Sequence, residues 1–296
     1  MGAVIETFEL KKNYGKHEAV RGINLAVPAG SICAFLGQNG AGKSSTIKML
    51  LGMIHPSSGT GSILGHRIGN EKESLLIRQK AAFVAEDKRL YDYMTVAQIV
   101  RFTKSFFPNW REDLEHRLLE QFELPLDRKI RQLSKGMRTK LALLLGFARG
   151  CELLILDEPT EGLDPVAIED VLQIIVSLVA DGTTVFFSSH QIAEVEQIAD
   201  HVLMINRGQL VLDASMDQIK EEYRHIQAVF PAPIEERDLR VPGIEKVHTQ
   251  GQTVSLVASG NVDNIVEHVR MMRARNVDVL PISLKEIFLE KVKARS

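Results

Sequence analysis

The chain has 296 residues, enough for two domains or one large one, and 45% of them are apolar, as in an ordinary soluble globular protein. Its 36 basic residues nearly balance its 38 acidic ones, for a formal net charge of −2, which argues against the broad basic footprint of a nucleic-acid binder. No apolar run approaches the roughly 20 residues that a membrane-spanning helix needs, so any role at a membrane is expected to come through a partner.

In chain order, MGAVIETFEL (1–10) alternates like a strand and carries Glu6. It fits neither a signal peptide nor a myristoylation signal, which needs Ser or Thr at position 6. Residues 3–10 and 21–27 are expected as strands, split by the turn signals of KNYGKH, and PAG at 28–30 marks a further turn. SICAFL (31–36) is a continuous apolar run suited to the middle of a sheet. From Gly42, GKSSTIKMLLGMI has helical spacing and stops near HPSSG. Residues 95–145 are mostly helical in pattern, through TVAQIVRFTKSFF, REDLEHRLLEQFEL and the run that begins at GMRTKLALLL. ELLILD, TTVFFSS and HVLMIN are then strand candidates, separated by helical runs at 165–180 and 191–199. Strands alternating with helices imply a parallel sheet with crossovers. The cysteines, Cys33 and Cys151, lie far apart in apolar surroundings and are expected as buried free thiols of a reducing cytosol.

The character changes after about residue 222. RHIQAVF, IEKVHTQ, TVSLVAS and NVDVLPI are strand-like, NVDNIVEHVRMMRAR is an amphipathic helix, and SLKEIFLEKVKARS is a final helix. This order suggests a small α+β appendix, ferredoxin-like if its first crossover helix can be squeezed into APIEERDLR.

The densest chemistry lies in LGQNGAGKSST (36–46). Gly37, Gln38, Asn39, Gly40, Ala41, Gly42, Lys43 and Ser44 fit the phosphate-binding loop pattern, with Ser45 following, and both the strand before and the helix after are the context that the pattern requires. Glycines let backbone N–H groups approach phosphate oxygens, and the helix start adds its positive dipole end. Lys43 is placed to reach the β and γ phosphates, and the Ser44 hydroxyl to ligate Mg²⁺. Downstream, the apolar strand of LLILDEPT (153–160) ends in two carboxylates. Asp157 can hold Mg²⁺ through water, and Glu158 can orient or deprotonate an attacking water.

LSKGM (133–137), some twenty residues before LLILDEP, resembles the signature motif of ATP-binding cassette (ABC) ATPases. EGLD (161–164) resembles that family's D-loop, His190 in SSHQIAEVE its switch histidine, and Tyr14 in KNYGKHEAV the aromatic that stacks on adenine. Glu86 in FVAED stands where the family usually has the glutamine of its Q-loop, and SLKEIFLEK is similar to the terminus of many exporter cassettes whose permease is a separate chain.

The resemblance covers about residues 4–215 and implies an α/β phosphate-loop NTPase core with an antiparallel β subdomain and a helical subdomain at about 87–150. The ATPase domain would span 1–222 and the accessory domain 223–296. It implies ATP and Mg²⁺ as ligands, with Ser44, Asp157 and Glu86 on the metal and Lys43, Glu158 and His190 in catalysis. Two cassettes, identical or different, would dock head to tail, with Ser134 and Gly136 of each meeting the γ-phosphate bound to the other. The partner would be a transmembrane permease and the location the cytoplasmic face of the cell membrane. Nucleic acid is not expected.

The sequence departs from the family pattern at Lys135 and Met137 of the signature, usually glycine and glutamine, and at Glu86. Lys135 is expected to point to solvent, with phosphate contact as the alternative. A carboxylate at 86 can still ligate Mg²⁺ or its water. Phe106, Phe107 and Trp110 either fill the helical subdomain's own core or mark an interface. The competing readings are a soluble ABC ATPase acting on ribosomes or DNA and a phosphate-loop kinase. The first usually brings two cassettes or a coiled-coil insertion, and the second would not need LSKGM or EGLD.

Overall fold

The structure, a computed structural model, describes residues 2–239 and 241–293. The chain divides into two compact units, residues 1–210 and 211–296.

The first unit opens with an antiparallel sheet. Strands β1 (Ala3–Tyr14), β2 (His17–Ile23) and β3 (Ala26–Pro28) precede β4 (Ile32–Leu36) and helix α1 (Lys43–Leu50), and β5 (Ser58–Ile63) and β6 (His66–Arg67) return to that sheet. Its order is β2-β1-β5-β6, with β3 also on β1. The strand expected at 21–27 is two strands. A tight turn at Gly15, with φ of 59°, starts β2 early at His17, and the chain jogs at Asn24–Leu25. Buried Thr7 holds the jog: its Oγ1 donates to Ile23 O at 3.0 Å and accepts from Leu25 N at 2.9 Å. Helix α1 also stops four residues short of the expected end. Gly52, with φ of 64°, reverses the chain, and the N–H groups of Gly52 and Met53 close on Met49 O and Lys48 O, the bond pair of a Schellman cap.

Next come α2 (Glu71–Lys80), β7 (Ala81–Val84), α3 (Val96–Lys104), α4 (Glu112–Gln121), α5 (Lys135–Phe147), β8 (Leu153–Asp157), α6 (Pro165–Ala180), β9 (Thr184–Ser189), α7 (Ile192–Ile198), β10 (His201–Asn206) and β11 (Gln209–Ser215). The main sheet has the order β11-β10-β4-β9-β8-β7, and β10, β4, β9, β8 and β7 pair in parallel. Every residue of β4, β8 and β9 is buried, the signature of strands covered on both faces. This brings the carboxyl ends of β4, β8 and β9 side by side, with Leu36 opposite Ser189 and Asp157 opposite Ser188. Cys33 is buried as expected, whereas Cys151 is only half-buried; neither is in a disulfide.

In the second unit, α8 (Met216–Glu222) leads to β12 (Tyr223–Val229), β13 (Ile244–Gln250), β14 (Thr253–Ser259), α9 (Val262–Met271), β15 (Asn276–Pro281) and α10 (Leu284–Lys293). The sheet order is β13-β14-β12-β15 with every pair antiparallel, the ferredoxin-like arrangement. The segment expected to hold the first crossover helix forms just a short 3₁₀ turn at Glu236–Leu239. Leu239 anchors that turn in a core with Ile226, Leu256 and Ile265.

Candidate functional site

The loop between β4 and α1 is shaped by close contacts with the rest of its own unit. A Cβ on Gly37 would lie 2.6 Å from Ile205 O, and one on Gly42 would lie 2.5 Å from Ala19 O. Gly42 has φ of 114°, and Gly40, with φ of 81°, has nothing within 4 Å of a Cβ position. Helix α1 starts directly after this loop, and its Gly42 N-cap offers no side chain to the first-turn N–H groups. Those donors are therefore left for a ligand.

Lys43 folds back under the loop. Its Nζ donates to Gly37 O at 2.6 Å and lies 3.0 Å from Glu158 Oε1, with both side chains 6% exposed. Oε1 of Glu158 has no partner in hydrogen-bonding geometry, so charge holds it. The other oxygen, Oε2, lies 2.8 Å from His190 Nδ1. A carboxylate can only accept, so Nδ1 carries the proton of that bond. Glu158 has an uncommon backbone for a non-glycine residue, with φ of 49°. Its N–H donates to Ser188 O at 3.2 Å and to Ser188 Oγ at 3.1 Å, and the same Oγ donates to Asp157 Oδ1 at 2.6 Å. From outside the sheet, Lys88 Nζ donates to Glu158 O at 3.1 Å.

These groups border a cavity of about 420 Å³ whose walls include Tyr14, Gln38, Asn39, Gly40, Gly42, Lys43, Ser44, Ser45, Glu86 and Glu158. His17 and Ala19, which sequence reasoning did not single out, complete its rim. Gly37 and Ala41 are not among its lining residues. Asp157 is buried at the end of β8 beside Glu158, and His190 reaches the cavity's edge through Glu158. Ser134 and Gly136 lie at the start of α5, outside this cavity. Ser134 caps α5, its Oγ accepting from Met137 N at 3.2 Å.

The local field is negative. Burial, followed by Asp157, Glu161 and Glu158, pushes the Glu86 carboxyl above its usual range. Burial also pushes Lys88 down and Glu194 up. Glu194 is buried beside Ser189, whose Oγ donates to it at 3.2 Å. Among the described residues no three His, Cys, Asp or Glu side chains form a metal cage. Ser44, Asp157 and Glu86 offer hydroxyl and carboxylate oxygens, a donor type that fits Mg²⁺ completed by waters and phosphate oxygens.

Lys135 is largely exposed, as expected, but it has a partner. Its Nζ pairs with Glu161 Oε1 at 2.6 Å within the same chain, which holds the Glu161 carboxyl below its usual range. The aromatics of FTKSFFPNW divide between buried and exposed. Trp110 is buried, with Nε1 donating to Glu115 at 2.6 Å, whereas Phe106 is 63% exposed. Phe106 continues a surface run of ring contacts through Phe102 and Tyr91 to Tyr93, and Phe107 lies 3.8 Å below the Arg149 guanidinium.

A strand-loop-helix phosphate cradle beside a strand that ends in paired carboxylates places the chain among the phosphate-loop nucleotide-binding proteins. The family model described as ABC transporter matches residues 20–161. The chain is 27% identical over 289 residues to the ABC transporter ATP-binding protein YtrB of Bacillus subtilis, covering 97% of this chain and 98% of YtrB. It is 35% identical over 227 residues to the bacitracin transport ATP-binding protein BcrA of Bacillus licheniformis, covering 76% and 74%. A solved structure of the ATP-binding subunit of an ABC transporter superposes with a TM-score of 0.67 at 30% identity, covering 73% of this chain and 92% of that one. The chain belongs to the ATP-binding proteins of ABC transporters, and its activity is ATP hydrolysis. No helix among the described residues is long and apolar enough to cross a membrane.

Proposed function

We propose that this chain is the motor subunit of an exporter, attached to the cytoplasmic face of the membrane by a separate permease and working as a head-to-tail pair of cassettes. The observation that carries the reading is the buried Lys43–Glu158 pair, joined by the more exposed His190, bordering the phosphate cradle.

In this reading the triphosphate lies along Gly37–Ser45, with Lys43 on its β and γ phosphates and adenine on Tyr14, which is 48% exposed at the rim. Ser44, Asp157 and Glu86 would hold Mg²⁺ directly or through water, and the ion would neutralise charge developing on the transferred phosphoryl group. Glu158 takes a proton from the attacking water. The new P–O bond forms as the bond to the ADP oxygen breaks. His190 keeps the Glu158 carboxylate oriented.

The second copy enters through α5. The Ser134 oxygen already accepts from Met137 N, so its own proton is free for a phosphate oxygen across the interface. Ser134→Arg is expected to leave nucleotide binding by the monomer within about twofold while abolishing the ATP-dependent dimer. Normal dimerisation of that variant in sedimentation would remove Ser134 from the interface.

The exposed rings of Tyr91, Tyr93, Phe102 and Phe106 suit a permease's cytoplasmic segments, since aromatics anchor interfaces. BcrA is named for bacitracin transport, which supports a transport role for this chain too. Isolation of the chain from its native membrane is expected to bring down a polytopic hydrophobic polypeptide. Recovery of ribosomes or DNA in its place would move the assignment to a soluble cassette ATPase.

A further inference from the structure

The turn that follows Glu158 is gripped from outside the main sheet. The Glu161 N–H donates to Glu158 O at 3.3 Å, so residue 161 is tied directly to the backbone of the proposed base. Two side chains of α5, one helical turn apart, hold residue 161 in turn. Lys135 Nζ pairs with its carboxylate at 2.6 Å, and buried Thr139 Oγ1 donates to its carbonyl at 3.3 Å. The Lys135 stem lies flat on Gly162: a Cβ there would meet its Cε at 2.9 Å and its Cδ at 3.0 Å. Lys88 supplies the remaining grip on Glu158 O.

An exposed ion pair adds little to stability, and Lys135 and Glu161 are 70% and 37% exposed. Its value here is geometric. The pair spans two segments that no backbone bond joins directly at this point, and it ends three residues from a carboxylate whose placement decides a rate. One of the family departures is thereby given a place: Lys135 stands where a glycine is usual, and it meets an acidic residue on the opposite turn.

We propose that Lys135, acting through Glu161, is a positioning residue for ATP hydrolysis: the ion pair fixes the 158–162 turn and so sets the Glu158 carboxylate against the attacking water. The proposal rests on Glu158 being the base. It assigns Lys135 to its own subunit's turn, not to the partner's phosphate.

The test is steady-state hydrolysis by the full chain, with nucleotide affinity and unfolding midpoint measured alongside. Lys135→Met and Glu161→Gln are each expected to lower kcat about tenfold while KM for ATP stays within about twofold, the pattern of an interaction that matters in the transition state. The double variant should be no slower than either single one, because both remove the same contact. Lys135→Arg keeps the charge and should stay within about threefold of the parent. Unchanged kcat in Lys135→Met, losses that multiply in the double variant, or an Arg variant as slow as the Met one would each overturn the proposal. A failure of the base assignment reads differently: Glu158→Gln would itself keep turning over.

Discussion

Glu158→Gln is expected to bind ATP as the parent does and to hydrolyse it about a thousandfold more slowly, the middle of the range for loss of a positioned general base. The replacement is nearly isosteric. Its amide can keep a contact to His190 Nδ1, and the backbone bonds to Ser188 and Lys88 do not involve the side chain. What disappears is the ability to take a proton, together with the charge that faces Lys43. With hydrolysis blocked and the cradle intact, ATP and magnesium should accumulate a stable dimer. Single-turnover phosphate release and sedimentation measure the two consequences separately. Turnover within tenfold of the parent would dismiss Glu158 as the base. A variant that stops hydrolysing but stays monomeric at saturating nucleotide, with its membrane partner supplied, would leave the base in place and dismiss the shared-nucleotide dimer.

Lys43→Met should damage both binding and folding. Losing a charge-assisted contact to phosphate weakens binding by roughly 10- to 100-fold, from about 1.5–3 kcal/mol per such bond. The structural cost arises without any nucleotide. Lys43 and Glu158 are almost wholly buried and face each other at 3.0 Å. Removing one member leaves the other charge uncompensated in a poorly solvated place, typically at a cost of about 3–5 kcal/mol. Lys43→Met combined with Glu158→Gln leaves neither charge and should recover most of that loss. Denaturant unfolding of the two single variants and the double variant completes the cycle. Additive losses would show that the ion pair does not hold this part of the fold together.

The parts of the molecule legible in the sequence are those whose residues obey one dominant constraint. β4, β8 and β9 are buried on both faces and so read as unbroken apolar runs, and the phosphate loop is contiguous. The region 58–84 carried no such signal, although it holds β5, β6, α2 and β7. β5 is SGTGSI, largely exposed, and its Gly61 lies close against Glu6 O of β1 where a side chain would collide. A strand chosen for close backbone approach looks like a loop by composition. The same limit applies at the site. Lys43, Asp157, Glu158 and His190 could be picked out by pattern, but the partners of Lys88 and Lys135 lie 70 and 26 residues away in sequence, at Glu158 and Glu161. Periodicity carries no information about such pairs. The jog of β2 into β3 is likewise written in Thr7, on another strand.

The glycines of the phosphate loop have a thermodynamic corollary. Gly37 and Gly42 are wedged against the carbonyls of Ile205 and Ala19, both part of the same unit, and Gly40 takes a backbone angle that side chains resist. The cradle therefore acquires its shape as the unit folds, and its conformational entropy is surrendered then, before any triphosphate arrives. An incoming ligand meets a rigid receptor and keeps most of its interaction energy as affinity. After cleavage the departing diphosphate leaves behind the same receptor, ready for the next cycle without a refolding step.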